Sequence, residues 1–348
     1  MIRCAVVGAS GYTGAELVEL LATHPGVDLV SVHADASAGR RWEELFPARR
    51  HVWQGELLPF DADRLDGLDA VLLALPSGAA AEAAAALVGR VASVIDLSGD
   101  LRLGDPDVYR TWYGRPHAAP RLLGEAAYGL PELFGDDLPG ARLVACAGCY
   151  ATVIQLAAAP WLATCDGPTA SVHVTAASGT SGAGRKGDVD LSFSEVFGDL
   201  RPYRVGRHQH VPEIVAGLTR VAGSAVRVTF VPILAPVERG IVAAVTMPTD
   251  AVPAGGDLLD IYRDFYDGAG HVRVCDPEDR LPSVRDVVGT NFCDLAPVAD
   301  VDGGAVVVTG VIDNLLKGAA GQAVQVLERV FGLATEGRRT NRVNSTAA

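Results

Sequence analysis

Positive charge is scarce in this 348-residue sequence: 29 lysines and arginines stand against 42 aspartates and glutamates, a net of −13. A chain of that sign repels nucleic-acid phosphates and anionic lipid, so general nucleic-acid or membrane-surface binding is excluded. An anionic small molecule held by a few local cations is not. Long apolar runs are also missing; none reaches the ~20 residues that span a bilayer. Met1-Ile2-Arg3 leads directly into a strand-like run, with no charged n-region and apolar h-region. The six cysteines (Cys4, Cys146, Cys149, Cys165, Cys275 and Cys293) are scattered. No second pair accompanies the Cys146-x-x-Cys149 spacing, so neither a zinc set nor a disulfide framework is expected, and a reducing cytoplasm is the natural compartment. No repeat, heptad pattern or low-complexity tract is present. Aromatics are few, at 6%, whereas alanine and glycine abound, which suits close helix–sheet packing. The length predicts two domains.

What is present begins with a βαβ pattern. Residues 2–7 read as a buried strand, Gly8-Ala-Ser-Gly11-Tyr-Thr-Gly14 as a turn, Ala15 to Thr23 as a helix and residues 27–33 as a second strand. Glycines at that spacing, after a strand and opening a helix, let backbone approach a pyrophosphate. The next turn carries two opposed signals. Asp35 suits the free ribose hydroxyls of NAD, whereas Ser37 with Arg40 or Arg41 suits the 2′-phosphate of NADP. Strands at 70–75 and 91–97 end in Pro76-Ser77-Gly78 and Ser98-Gly99-Asp100-Leu101-Arg102, where ligands of α/β sheets collect. Arg102 has the planar fork that matches a phosphate. Residues 104–140 read as loop and short pieces, and 143–146 as the last strand of this half.

Cys149 follows, between a small-residue approach and a long apolar run, so it should open a buried helix. A helix N-terminus favours thiolate, which can attack a carbonyl carbon. From residue 170 the pattern alternates as in antiparallel sheet. Ser178 to Lys186 forms a glycine–serine loop ending in Arg185 and Lys186, able to wrap a phosphate or carboxylate. His208 and His210 precede Pro212-Glu213 at a helix start. In extended chain the two rings would face opposite ways, so one of them should point at Cys149, with Glu213 placed to orient His210. Arg239 stands between two strands, and Asp313-Asn314 with Lys317 opens a last helix.

Seven segments in fixed order carry a resemblance: 8–14, Asp96 to Arg102, Tyr128 to Glu132, Ala147 to Tyr150, Ser178 to Lys186, His208 to Glu213 and Asp313 to Gly321. Over residues 1 to about 335 the chain resembles the N-acetyl-γ-glutamyl-phosphate reductases, in a wider group with aspartate-semialdehyde dehydrogenases. The resemblance implies an α/β protein: an N-terminal Rossmann domain (residues 1–148 and 315–335) interrupted by an α+β catalytic and oligomerisation domain (149–314) with a mostly antiparallel sheet. The final helix would return to the Rossmann domain, and residues 336–348 would form a flexible tail.

It also implies NADPH-dependent reductive dephosphorylation of an acyl phosphate, in a cytoplasmic homodimer or homotetramer, with no metal. Cys149 would be the nucleophile, His210 the acid/base, or else His208, and Glu213 its partner. Gly8, Ser10, Gly11, Tyr12, Thr13, Gly14, Ser37, Arg40 and Pro76 would meet the cofactor, NADP in preference to NAD. Ser181, Gly182, Asn314 and Lys317 would join them. Arg102, Ser178, Arg185, Lys186, His208 and Arg239 would hold the substrate. Ala147 and Ala151 replace prolines of the family pattern and are similar to relatives that act on carrier-protein-bound glutamyl or aminoadipyl phosphates, for which Arg40, Arg41, Arg49 and Arg50 would offer a docking patch. Tyr150 and the Ser178–Lys186 loop match the enzymes of free acetylated substrate, and that reading is preferred. The alternatives are the carrier-bound substrate, a redox-active Cys146/Cys149 pair and a non-catalytic dinucleotide-binding regulator.

Overall fold

The computed structural model describes residues 1–165, 169–185, 188–250, 253 and 255–333. Lys186 and the 336–348 tail lie outside them. In chain order the elements are β1 (Ile2–Val7), α1 (Tyr12–Ala22), β2 (Val27–His33), α2 (Trp42–Leu45), β3 (Ala70–Leu73), α3 (Ala79–Leu87), β4 (Ser93–Asp96), α4 (Pro106–Tyr113), β5 (Ala127–Gly129), α5 (Pro131–Phe134) and β6 (Leu143–Cys146). There follow α6 (Cys149–Leu162), β7 (Thr169–Ser178), α7 (Phe193–Val196), β8 (Arg201–Pro202), α8 (Val211–Ala222), β9 (Ala225–Leu234), β10 (Ile241–Pro248), α9 (Gly255–Phe265), β11 (Val272–Val274), α10 (Val284–Val287), β12 (Cys293–Asp300), β13 (Ala305–Ile312) and α11 (Gly321–Phe331). No helix of the described residues is long and apolar enough to cross a membrane. Two compact units result: Met1–Gly148, rejoined by the chain at Ala319, and Cys149–Gly318.

The first unit is a parallel sheet in the order β2-β1-β3-β4-β6-β5. Strands β3, β4 and β6 in its middle are buried along their whole length, which is why they read as short apolar runs, whereas the edge strand β2 is partly exposed. Along β1, Cys4 and Val6 enter one core cluster with Leu17, Val18 and Leu21 of α1 and Val326 of α11, while Ala5 and Val7 enter a second with Ala81 and Leu87 of α3. The chain leaves β1 for β2 on one side and β3 on the other, and the glycine turn sits at that switch point. One strand of this sheet, β5, falls where the sequence reads as loop. Three residues are too few to show a period, and Gly129 is there for proximity: a Cβ would come within 2.9 Å of Val144 Cγ1 and 3.1 Å of Val326 Cγ2.

The second unit is a sheet in the order β11-β12-β13-β10-β7-β9-β8. Four of its pairings are antiparallel, but β7–β9 and β11–β12 run parallel, so the sheet is mixed. The chain passes through α8 between β7 and β9, a crossover connection that allows parallel pairing. Helix α6 is apolar on every side apart from Thr152 and Gln155 and is buried beyond its first residue, as a central helix must be. It packs on β7, β10 and β13 and on α8 and α9. Pro160 lies inside it and has no N–H for the Leu156 carbonyl. The Tyr266 hydroxyl donates to that carbonyl at 2.6 Å, and Tyr262 to Ala157 O at 2.7 Å.

Candidate active site

In the first unit the glycine turn divides its labour. Gly8 has φ +90°, and a Cβ there would lie 2.3 Å from Ala74 O; one at Gly14 would lie 2.2 Å from Gly8 O. Both make the tight turn and the close seat of α1 on β1. Gly11 meets only Gly8 O, at 3.5 Å, so space lies open over the N-terminus of α1, which no side chain caps. An open, uncapped helix start of this kind suits a pyrophosphate, and it is bounded by half-buried Ser10 and Thr13 and by exposed Tyr12. Asp35 is turned to its own framework, accepting the Phe60 N–H at 2.9 Å. Ser37 and Arg40 follow it on the surface, and Pro76 is exposed just beyond β3.

Two expectations for this unit change. The four-arginine patch is partly neutralised, since Arg49 pairs with Glu16 (2.6 Å) and Glu19 (3.2 Å) of α1, and Arg41 with Glu43. Arg102 anchors the strand ends: Nε donates to Cys146 O and Nη2 to Leu97 O, both at 2.8 Å. The buried Asp100 takes the N–H groups of Gly78 and Ala81 at the start of α3 and the Tyr109 hydroxyl. Cys146 is fully buried, and burial, with Asp96 nearby, pushes its thiol far above the ordinary range. A thiol so placed is ill suited to redox exchange.

In the second unit Cys149 is the first residue of α6 and is partly exposed. Its flank is closed by Gly318, where a Cβ would come within 2.7 Å of Cys149 Cβ. Gly318 lies in a π-helical turn, Leu316–Ala320, with its N–H on Asp313 O at 3.0 Å. The sequence reads this stretch as ordinary helix; wide turns of this kind often mark functional sites. Lys317 in the same turn is fully buried.

Tyr150, next to Cys149, gathers the histidines. Its ring centroid lies 5.4 Å from that of His208 and 6.1 Å from that of His210. The histidine rings are 4.9 Å apart, so they do not face opposite ways. The reason is local: residues 208–211 already turn, with His210 in the αR region and Val211 N–H bonded to His208 O, instead of running extended. Glu213 is buried in the first turn of α8, where the helix N-terminus suits a carboxylate. Tyr203, which the sequence reading missed, donates to the Tyr150 hydroxyl at 3.1 Å, and Tyr150 is bonded in turn to Ser178. Burial pushes the Tyr203 phenol up to about 12 and the Tyr150 phenol further, so both stay neutral.

The remaining candidates split. Arg239 is held by the buried Asp313, Nη2 to Oδ2 at 2.9 Å and Nε to Oδ1 at 3.3 Å. Asp313 also takes the N–H groups of Gly289 and Leu315, both at 2.8 Å. Asn314 receives the Gly240 N–H at 2.7 Å and donates to Ser181 Oγ at 3.0 Å, a lock between the two loops. These bonds fix residues 313–318 to the second unit, so the chain leaves it at Ala319 and not at 315. Gly182 and Arg185 are exposed on the loop after β7, and Ser178 is buried at the strand's end.

Residues 3–141 match the family described as semialdehyde dehydrogenase, NAD binding domain, and residues 149–314 match semialdehyde dehydrogenase, dimerisation domain. An N-acetyl-gamma-glutamyl-phosphate reductase of Citrifermentans bemidjiense is 44% identical over 336 residues, covering 96% of each chain. The chain belongs to the N-acetyl-gamma-glutamyl-phosphate reductase family. Another member, from Desulforudis audaxviator, is 41% identical over 96% of each chain. The fold is similar to that of aspartate semialdehyde dehydrogenase II of Vibrio cholerae, at a TM-score of 0.70 and 18% identity over 94% of this chain and 98% of that one. Membership makes the first unit the family's nicotinamide dinucleotide domain and the second its dimerisation domain.

Proposed function

We propose that the chain catalyses the reductive dephosphorylation of N-acetyl-γ-glutamyl phosphate to N-acetylglutamate 5-semialdehyde, a step of arginine biosynthesis, through a thioester on Cys149. The observation that carries the reading is the neighbourhood of Cys149: a partly exposed thiol at the start of a fourteen-residue helix, with both histidines packed on the next side chain. The N-terminus of α6 favours the thiolate. His210 takes the thiol proton. The thiolate attacks the acyl carbon, a C–S bond forms, the acyl C–O bond breaks, and phosphate leaves carrying the bridging oxygen and the proton from His210. When bound at the first unit, a nicotinamide dinucleotide would supply the hydride that reduces the thioester. The C–S bond then breaks, releasing the aldehyde and the thiolate. During both steps the first N–H groups of α6 favour negative charge on the carbonyl oxygen. Arg239, partly buried and fixed by Asp313, is a cation suited to the substrate carboxylate, with Arg185 on the loop after β7.

The preferred cofactor is NADP. Asp35, the one residue arguing for NAD, has a carboxylate oxygen engaged by Phe60 N–H, while Ser37 and Arg40 are left for a 2′-phosphate. A free small-molecule substrate fits better than a carrier, because Arg41 and Arg49 of the docking patch already have carboxylate partners. The six free cysteines suit a reducing cytoplasm, and the second unit suits a homodimer. The deciding assay runs the reaction backwards: free N-acetylglutamate semialdehyde, phosphate and NADP, at low and high salt. Robust, nearly salt-independent turnover supports the reading. Silence on the free semialdehyde with activity on a carrier-linked one overturns it, and kcat/KM favouring NAD overturns the cofactor choice.

A further inference from the structure

Two histidines stand at the mouth of α8, and the reaction needs one. We infer that His208 is a positioning residue held in its neutral form, its Nδ1 accepting the His210 backbone N–H and so fixing the His210 imidazole. The inference rests on His210 as the acid/base group.

The contact is 3.2 Å and buried. An N–H can be received only by a ring nitrogen without a hydrogen, so the bond requires the tautomer with its proton on Nε2. A protonated ring would set one donor against another. The His208 carbonyl meanwhile accepts the Val211 N–H, so both polar ends of this residue hold the first turn of α8, which has no side-chain cap. The ring is wedged between Tyr150 of α6 (5.4 Å), Tyr203 (5.6 Å) and Phe230 of β9 (5.2 Å). Charged and titratable groups around it are His210, Arg204 and Glu213 besides the two tyrosines. Burial first, then His210 and Arg204, push its pKa down to about 2, in keeping with the hydrogen-bond geometry. The approach is built to hold this shape. Arg204 has φ +45°, in the left-handed region that residues other than glycine seldom adopt, and its guanidinium bonds Gln209 across the turn.

The test compares His208→Asn and His208→Phe beside His210→Asn, with kcat, KM, pH profile and unfolding midpoint for each. Asn places Oδ1 where Nδ1 stood and keeps the acceptor; Phe keeps the ring and removes it. The expected result is a kcat reduced less in His208→Asn, which keeps the acceptor, than in His208→Phe. For His208→Phe, kcat falls about tenfold or more with KM little changed, and the acidic limb of the profile moves, the scale of a misplaced catalytic group. His208→Phe outperforming His208→Asn would make the ring a packing element only and overturn the inference. Both variants as inactive as His210→Asn would assign proton transfer to His208 itself. Retained activity in His210→Asn would instead remove the acid/base reading, and the inference with it, whatever the 208 variants do.

Discussion

Two cysteines three residues apart meet opposite fates, and that contrast explains much of the chemistry. Cys146 ends a buried strand, where burial keeps its thiol protonated, whereas Cys149 opens a helix and is partly exposed. Cys149→Ser should fold with a normal unfolding midpoint and lose nearly all turnover, because serine is not ionised at neutral pH. Cys146→Ser should keep its turnover and lose about 1–3 kcal/mol of stability, from a hydroxyl in an apolar site. Equal turnover in the two variants would refute the assignment. Two buried groups also give the stability a pH dependence of mixed sign. His208 has its pKa lowered to about 2, so the unfolded chain binds its proton first. The stability linked to it is present above about pH 6.5 and is lost as pH falls from there toward about 2. Asp96 has its pKa raised to about 6, chiefly by burial, against bonds from Ser98 that lower it. Its contribution is present below about 3.8 and is lost as pH rises through about 6. Between those limits the two oppose each other. Urea titrations should therefore show His208→Asn flattening the acid-side loss of stability and Asp96→Asn steepening it; the reverse pattern would contradict both shifts.

Elements were legible in the sequence wherever a period and a boundary signal agreed. The β1–turn–α1 unit could be read because Gly8, Gly11 and Gly14 follow a strand and open a helix. Helix α6 could be read because its apolar run is long. What escaped was structure with no local signature. Strand β5 is three residues held in place by neighbours, and the π-helical turn at Leu316–Ala320 depends on Asp313, whose partners Arg239 and Gly289 are distant in sequence. The same limit hid Tyr203 and Gly318, which matter only through contacts with Tyr150 and Cys149. The candidate site residues came partly from motif spacing and for the rest from the family resemblance, but neither gave their division of labour. Asn314 and Ser181 turn out to bond each other, and Arg102 to bond carbonyls. One element-level device is testable alone. Pro160 leaves the Leu156 carbonyl without its helical donor, and Tyr266 supplies the missing hydrogen bond. Tyr266→Phe should destabilise the chain by about 1–3 kcal/mol, the cost of leaving a buried carbonyl unsatisfied. Chemical denaturation measures it, and an unchanged midpoint would mean the carbonyl finds another donor.

At the scale of the whole molecule, a charge of −13 makes association with a second copy unfavourable unless the meeting surfaces are neutral. The second unit has such a surface. Helices α6, α8 and α9 pack against its sheet. On the opposite side of the pleat, Val242 of β10 pairs across strands with Ala177, Ala244 with Thr175 and Thr309, and Thr246 with His173 and Val307. Val242, Ala244, Thr175 and His173 are exposed, and no residue of this set is acidic. Small and β-branched side chains in register make a flat face that a second copy can match by twofold symmetry. The proposed homodimer is accordingly expected to form here, sheet against sheet. Ala244→Arg, near the middle of the face, would bring a guanidinium into this neutral contact from each protomer of a symmetric pair, buried without a carboxylate to meet it. The expected outcome is a dimer that dissociates to folded monomers in light scattering, with the secondary structure retained by circular dichroism. A substitution of similar size outside the face, such as Val301→Arg in the turn between β12 and β13, should leave the mass unchanged. A dimer that survives Ala244→Arg would place the interface elsewhere on the second unit.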